Sequence, residues 1–99
     1  MRNLIITRGA WDDISDAWLF YEKQERGAGD YFEQGIKADI QSLAHLHGIH
    51  RFVSGHHRMG ATSFPYAIYY RDLEFETRVV AVLDTRRDPA WIMSRLRNL

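Results

Sequence analysis

The sequence predicts an α+β domain: an antiparallel two-helix hairpin packed on a four-stranded, largely antiparallel sheet, with a short C-terminal helix. Three observations predict it. A short aliphatic run precedes two stretches of helical periodicity, only two to four residues separate those stretches, and the second half turns to alternating or continuous apolar runs of strand length. The order is strand, helix, helix, strand, strand, strand, helix, or βααβββα. Residues 1–99 make a single domain, because two cores would each fall below the ~40 to 70 residues at which unassisted folding becomes difficult. With 45% apolar and 13% aromatic residues the chain carries enough core to fold rather than remain disordered.

Each element follows from its residues. Leu4-Ile5-Ile6 reads as a strand ended by Thr7-Arg8-Gly9. From Ala10 the period changes, with Ile14, Trp18 and Tyr21 on one helical face and Asp12, Asp13, Asp16, Glu22 and Lys23 on the others. Asp12 and Asp13 are placed to complement the helix dipole, and Gly27 can stop the helix near Arg26. Asp30-Tyr31-Phe32-Glu33 has capping-box spacing, Phe32, Ile36, Ile40 and Leu43 form the buried stripe of the second helix, and Gly48 is its C-terminal stop. The short break between the helices makes them antiparallel.

Beyond Gly48, His56-His57-Arg58-Met59 is a weak strand before the turn-like Gly60-Ala61-Thr62-Ser63. Phe64 to Arg71 alternates, with Phe64, Tyr66, Ile68 and Tyr70 on one face and Pro65 at its start, where no ladder donor is needed. Arg78-Val79-Val80-Ala81-Val82-Leu83 is continuously apolar after its arginine, which predicts a central strand covered on both faces. Asp88-Pro89-Ala90 starts the last helix, with Asp as N-cap, Pro at the first helical position and Ile92, Leu96 and Leu99 in phase.

Composition excludes several function classes. No cysteine is present, which removes disulfide scaffolds, thiolate zinc or iron–sulfur sites and cysteine nucleophiles. The N-terminal aliphatic run is far shorter than a signal-peptide core or a ~20-residue span, so a cytoplasmic protein without membrane contact is expected. Thirteen basic residues balance thirteen acids, and the chain lacks the excess that drives nonspecific nucleic-acid binding. The two halves differ: residues 1–50 carry five Lys or Arg and eight acids (−3), and residues 51–99 carry eight Arg and five acids (+3). Any anion site belongs to the second half.

Ile14 and Trp18, Phe32 with Ile36 and Leu43, the run Phe64-Pro65-Tyr66-Ala67-Ile68-Tyr69-Tyr70, and Val80-Ala81-Val82-Leu83 followed by Arg86-Arg87-Asp88-Pro89 together resemble the RelE/ParE superfamily of type II toxins, most closely its ParE-like branch. The resemblance runs from Leu4 to Leu96. It implies an αα hairpin on a four-stranded sheet, and a toxin neutralised by a cognate antitoxin whose flexible C-terminal part wraps it. Superfamily members divide between inhibition of DNA gyrase and ribosome-dependent mRNA cleavage. A ParE-like chain is expected to bind gyrase, to need no cofactor and to touch DNA only through its antitoxin.

The cleavage chemistry requires a base near the attacking 2′-hydroxyl, cations on the phosphorane and an acid for the leaving oxygen. RelE-like enzymes use Lys and Arg, with a Tyr or His near the C-terminus. Here only Lys23 and Lys37 are lysines, residues 95–99 offer neither Tyr nor His, and Asp84-Thr85 stands where the family commonly has a His before the paired arginines. An endonuclease reading would rest on Arg58, Arg87 and His57. The gyrase reading makes Arg58, Arg86, Arg87 and Trp91 the target-binding candidates, and Tyr66, Tyr69, Tyr70 and Trp11 those for the antitoxin. A third reading is a degenerate toxin that only binds its antitoxin.

Arg58 has a bland alternative, pairing with Asp72 or Asp84. Two adjacent arginines, 86 and 87, cannot both serve one carboxylate. Trp18 is in phase with the core, whereas Trp11 and Trp91 lie off the apolar faces. His45, His47, His50, His56 and His57 cluster between positions 45 and 57, but His45 and His47 diverge on a helix and no compact metal spacing results, so no metal site is expected. Because a free imidazole titrates near neutrality, acid–base roles remain open.

Overall fold

In the computed structural model, which describes residues 2–99, the N-terminal aliphatic run forms β1 (Asn3–Ile6) and passes directly into α1 (Arg8–Gln24). Thr7 is the N-cap, its hydroxyl accepting from the Ala10 amide at 3.2 Å. The helix therefore begins before Ala10, and Asp12 and Asp13 lie beyond its first turn. Their role is not to serve the helix dipole.

α2 (Ala28–Leu46) also starts earlier than the capping-box spacing predicts. Gly27, at φ 90°, turns the chain. The Glu22 carboxylate, near the end of α1, then accepts from the amides of Gly27 at 3.1 Å and Gly29 at 3.0 Å. One helix thus supplies the acid that the free N–H groups of the next require. Asp30, expected as the N-cap, sits inside the first turn and accepts from Trp18 Nε1 at 2.9 Å. Gly48, at φ 82°, stands just past the helix end as the stop signal predicts.

The remaining elements are β2 (Phe52–Val53), β3 (His56–Gly60), β4 (Tyr66–Asp72), β5 (Glu76–Asp84) and α3 (Pro89–Arg97). The sheet has five strands, in the order β1-β5-β4-β3-β2, rather than four. The added strand is β2, which pairs with β3 across Ser54 and Gly55. Both turn residues have positive φ, 50° and 86°, as a tight hairpin turn compatible with strand twist demands. Two residues are too few to show alternation, so the Ser-Gly dipeptide was the available signal.

β3, β4 and β5 form the antiparallel meander, and β1 adds parallel to β5. The continuously apolar run falls on β5, which has neighbours on both sides and cover on both faces. Alternation along β4 divides the core. Tyr66, Ile68 and Tyr70 face the helical hairpin with Ile14, Phe32, Ile36 and Leu43, while Ala67 and Tyr69 face α3 with Ala81, Leu83 and Leu96. The register slips between Tyr69 and Tyr70, leaving Val80 as an extra residue, so Val80 and Ala81 both join the α3 side.

The hairpin owes its close packing to Gly29. A Cβ there would stand 2.7 Å from Trp18 Cε2 and 2.8 Å from the Trp18 carbonyl oxygen. Backbone cannot yield as a flexible side chain can. Gly29→Ala is therefore expected to destabilise the fold by about 1–3 kcal/mol in urea unfolding, despite the better helix propensity of Ala.

Candidate functional site

The parallel pairing of β1 with β5 ends at Ile6 opposite Val79, yet β5 runs on to Asp84. Its edge from Val80 onward therefore has no strand beside it. α1 takes that place: Asp13 Oδ2 accepts from the Val82 amide at 3.0 Å. The same carboxylate receives both terminal nitrogens of Arg95 from α3, each at 2.8 Å. Asp13 thus ties together α1, the open edge of β5 and α3. Burial pushes its carboxyl above the ordinary value, against the pull of Arg95 and the Val82 amide.

Around this tie lies a groove of about 350 Å³. Asp16 and Phe20 form its α1 wall, Tyr66 and Leu83 its floor, and Arg87 and Trp91 its α3 wall. Phe20 and Trp91 remain 49% and 37% exposed, so the groove offers two aromatic surfaces that the fold leaves uncovered. The Arg87 guanidinium lies over Trp91, 3.6 Å from the ring centroid. Asp88 caps α3 through the Ala90 amide at 3.0 Å and fixes that pair at the start of the helix.

The adjacent arginines diverge. Arg86 turns back on Asp84 through Nε at 3.0 Å and Nη2 at 2.8 Å, and its amide donates to the same carboxylate at 2.8 Å. The side-chain bonds from Arg86 hold the Asp84 carboxyl below its usual value and raise that of the guanidinium. Arg87 has no carboxylate among the described residues. Beneath them, burial, with Tyr21 and Asp84 nearby, pushes Tyr66 up to about 12.

The other candidates lie apart. Tyr66 reaches the groove, but Tyr69 is covered by α3 and Tyr70 points into the hairpin core, at 3% and 0% exposure. Trp11 is exposed on α1, with Lys37 Nζ 5.7 Å from its ring centroid. Arg58 pairs with neither Asp72 nor Asp84: Arg2 and His47 hold Asp72 and Arg86 holds Asp84. Arg58, Arg87 and His57 do not converge. His57 faces the hairpin side, Arg58 the opposite side of the same strand, and Arg87 follows the far end of β5.

The histidines build a structural network instead. His57 stacks on Tyr70 at 5.1 Å and 22°, its Nδ1 2.8 Å from the His50 carbonyl. The Tyr70 hydroxyl accepts from the Gly48 amide at 3.0 Å and meets His50 Nδ1 at 2.5 Å. Among the described residues no three His, Asp or Glu side chains gather as a metal site would require. Nor is any helix long and apolar enough to cross a membrane.

Asp13, Asp16, Phe20 and Arg95 were not among the sequence-based site candidates. Asp13, Asp16 and Phe20 recur at three and four residues on one helix face, where an apolar Phe among acids was the signal. The partnership of Asp13 with Arg95, 82 positions away, had no sequence signal.

Asp13→Ala would leave Arg95 and the Val82 amide unpaired, with an expected loss of about 2–4 kcal/mol in urea unfolding. A pH dependence follows from His50, whose pKa is lowered chiefly by burial and then by His57. Stability from its neutral form is full above about 6.5 and lost as pH falls through the lower folded value. Thermal midpoints measured from pH 7.5 to 5 should fall more steeply in the parent protein than in His50→Gln.

No family model and no curated protein matches the chain. Among solved structures, the chain is similar to one from "Chromosomal ParDE TA system from P. aeruginosa", with a TM-score of 0.78 and 16% identity over 87% of this chain and 98% of that one. The fold implied by the sequence resemblance is the fold of this chain, and it is shared with a chain of a ParDE TA system.

Proposed function

We propose that this protein is the toxin of a type II toxin–antitoxin pair, held inactive in the cytoplasm by a cognate antitoxin and acting on DNA gyrase by binding it. The observation that carries this reading is the fold shared with a ParDE TA system, joined to an aromatic groove that the chain's own residues leave open. Large uncovered aromatics flanking a free arginine are the composition of a protein-binding surface. Arg86, Arg87 and Trp91, with Arg58 on the sheet, remain the proposed contacts to the target. Tyr66 and Trp11 are the proposed contacts to the antitoxin, with Tyr69 and Tyr70 supporting that surface from the core.

Binding without catalysis is favoured over mRNA cleavage by the separation of Arg58, Arg87 and His57. A cleaving site needs its base, acid and phosphate-binding cations around one scissile bond. His57, which would supply the acid or base, stacks on Tyr70 on the sheet face opposite Arg58.

The test is supercoiling of relaxed plasmid by purified gyrase and ATP, titrated with the protein and then with antitoxin. Inhibition reversed by antitoxin is the expected result. Trp91→Ala and Arg87→Ala should each weaken inhibition about tenfold or more while the fold is retained. No inhibition at large molar excess would reject gyrase as the target. mRNA cleavage on translating ribosomes that Arg58→Ala abolishes would favour the nuclease, and absence of growth arrest without antitoxin would favour a degenerate toxin.

A further inference from the structure

The face of the sheet away from the helical hairpin is only half covered. α3 packs over Ala67, Tyr69, Ala81 and Leu83, toward one end of the strands. Beyond that cover, which reaches Ser54 of the β2–β3 turn through Met93, the same face carries Arg71 on β4 and Arg78 on β5, with Arg58 on β3 at its border beside Tyr69. Their placement follows from register: Arg58 is opposite Tyr69, and Arg71 is opposite Arg78. Ile5 on β1 pairs with Arg78 and extends the row, 40% exposed.

Among the described residues the fold balances one of these three charges. Like charges directly opposite in an antiparallel ladder repel, and Arg71 and Arg78 are such a pair. Arg78 is held by Glu76, whose Oε2 lies 2.8 Å from Nε and 2.6 Å from Nη2. Among the described residues Arg58 and Arg71 have no side-chain hydrogen bond or ion pair, and the acids Arg58 was expected to meet are engaged by Arg2, His47 and Arg86. Three arginines against one glutamate leave +2 on half a sheet face of a chain whose formal charge is zero.

We infer that the half-face formed by Arg58, Arg71 and Arg78 is a docking site for an acidic, extended segment of a protein partner. Glu76 shows the chemistry already in place: a carboxylate seated on a guanidinium of this row. An extended chain presents alternate side chains to one face, so acids at every second position can meet successive arginines while an apolar side chain rests on Ile5. A nucleic acid is the poorer occupant. Single-strand binding without sequence preference uses a long basic track and aromatic platforms, whereas this row is short, the overall charge is zero and Tyr69, the aromatic on this face, is 3% exposed. The site lies outside the groove lining and shares only Arg58 with the proposed target contacts, so binding of such a segment does not depend on gyrase being the target.

The experiment titrates the full ¹⁵N-labelled chain with a twelve-residue peptide of alternating Glu and Ser, and in parallel with single-stranded oligouridylate of equal length. Amide shifts concentrated on residues 56–58, 70–72 and 76–79 are expected with the peptide, saturating at low salt. Arg71→Gln and Arg58→Gln should each weaken binding about threefold or more, and Arg97→Gln, on α3, should not. The thermal midpoint of Arg71→Gln should equal or exceed that of the parent, because an uncompensated like-charge pair is relieved. A lowered midpoint would make the arginine structural and overturn the inference. So would peptide shifts scattered over the surface, no saturation at millimolar peptide, or tighter binding of the oligonucleotide to the same face.

Discussion

The architecture turns on the Asp13 carboxylate. It accepts the Val82 amide where β5 has outrun its parallel neighbour, and it holds both terminal nitrogens of Arg95. Without it the edge of β5 would carry an unpaired donor beside a helix that cannot offer backbone partners. α3 would also lose its ion pair to the rest of the domain. Burial raises the Asp13 pKa even with Arg95 in place, so the ion pair does not fully offset desolvation. Its contribution is positional: it sets where α3 lies, and therefore where Trp91 and Arg87 stand.

The groove is what remains when that position is fixed. α1 and α3 are held on either side of the bare β5 edge, and the side chains left between them are the aromatic, acidic and basic ones that the core does not use. The fold also separates the two arginines after β5. Asp84 takes Arg86 through short bonds close to the chain, which leaves Arg87 to lie over an indole. One arginine closes the strand exit, and the other is left exposed.

Sheet alternation separates the remaining polar groups with equal consequence. His57 and Arg58 are neighbours in sequence and point to opposite faces. His57 joins Tyr70 and His50 under the end of α2, a network that satisfies buried polar atoms and orders the loop leading to β2. Arg58 joins the arginines across the sheet. Charge that is balanced over the whole chain is therefore unbalanced locally, which gives a neutral protein a cationic half-face.

The sequence by itself determined the element order, the helical hairpin, the meander, the place of β5 and the caps at Gly48 and Asp88, because these rest on local signals: period, turn residues and continuous apolar runs. It also singled out Arg87 and Trp91, since adjacent arginines before an N-cap and an off-face indole are visible in the chain. Only the tertiary structure decided the rest. β2 was too short for periodicity, and the α2 N-terminus is served by Glu22 from another helix. Tyr69 and Tyr70 read as exposed binding aromatics but are covered from opposite sides. Asp13 and Arg95 meet across most of the chain, and Arg71 and Arg78 oppose each other only through strand register. Each of these depends on where distant segments come to lie, and sequence spacing carries no information about that.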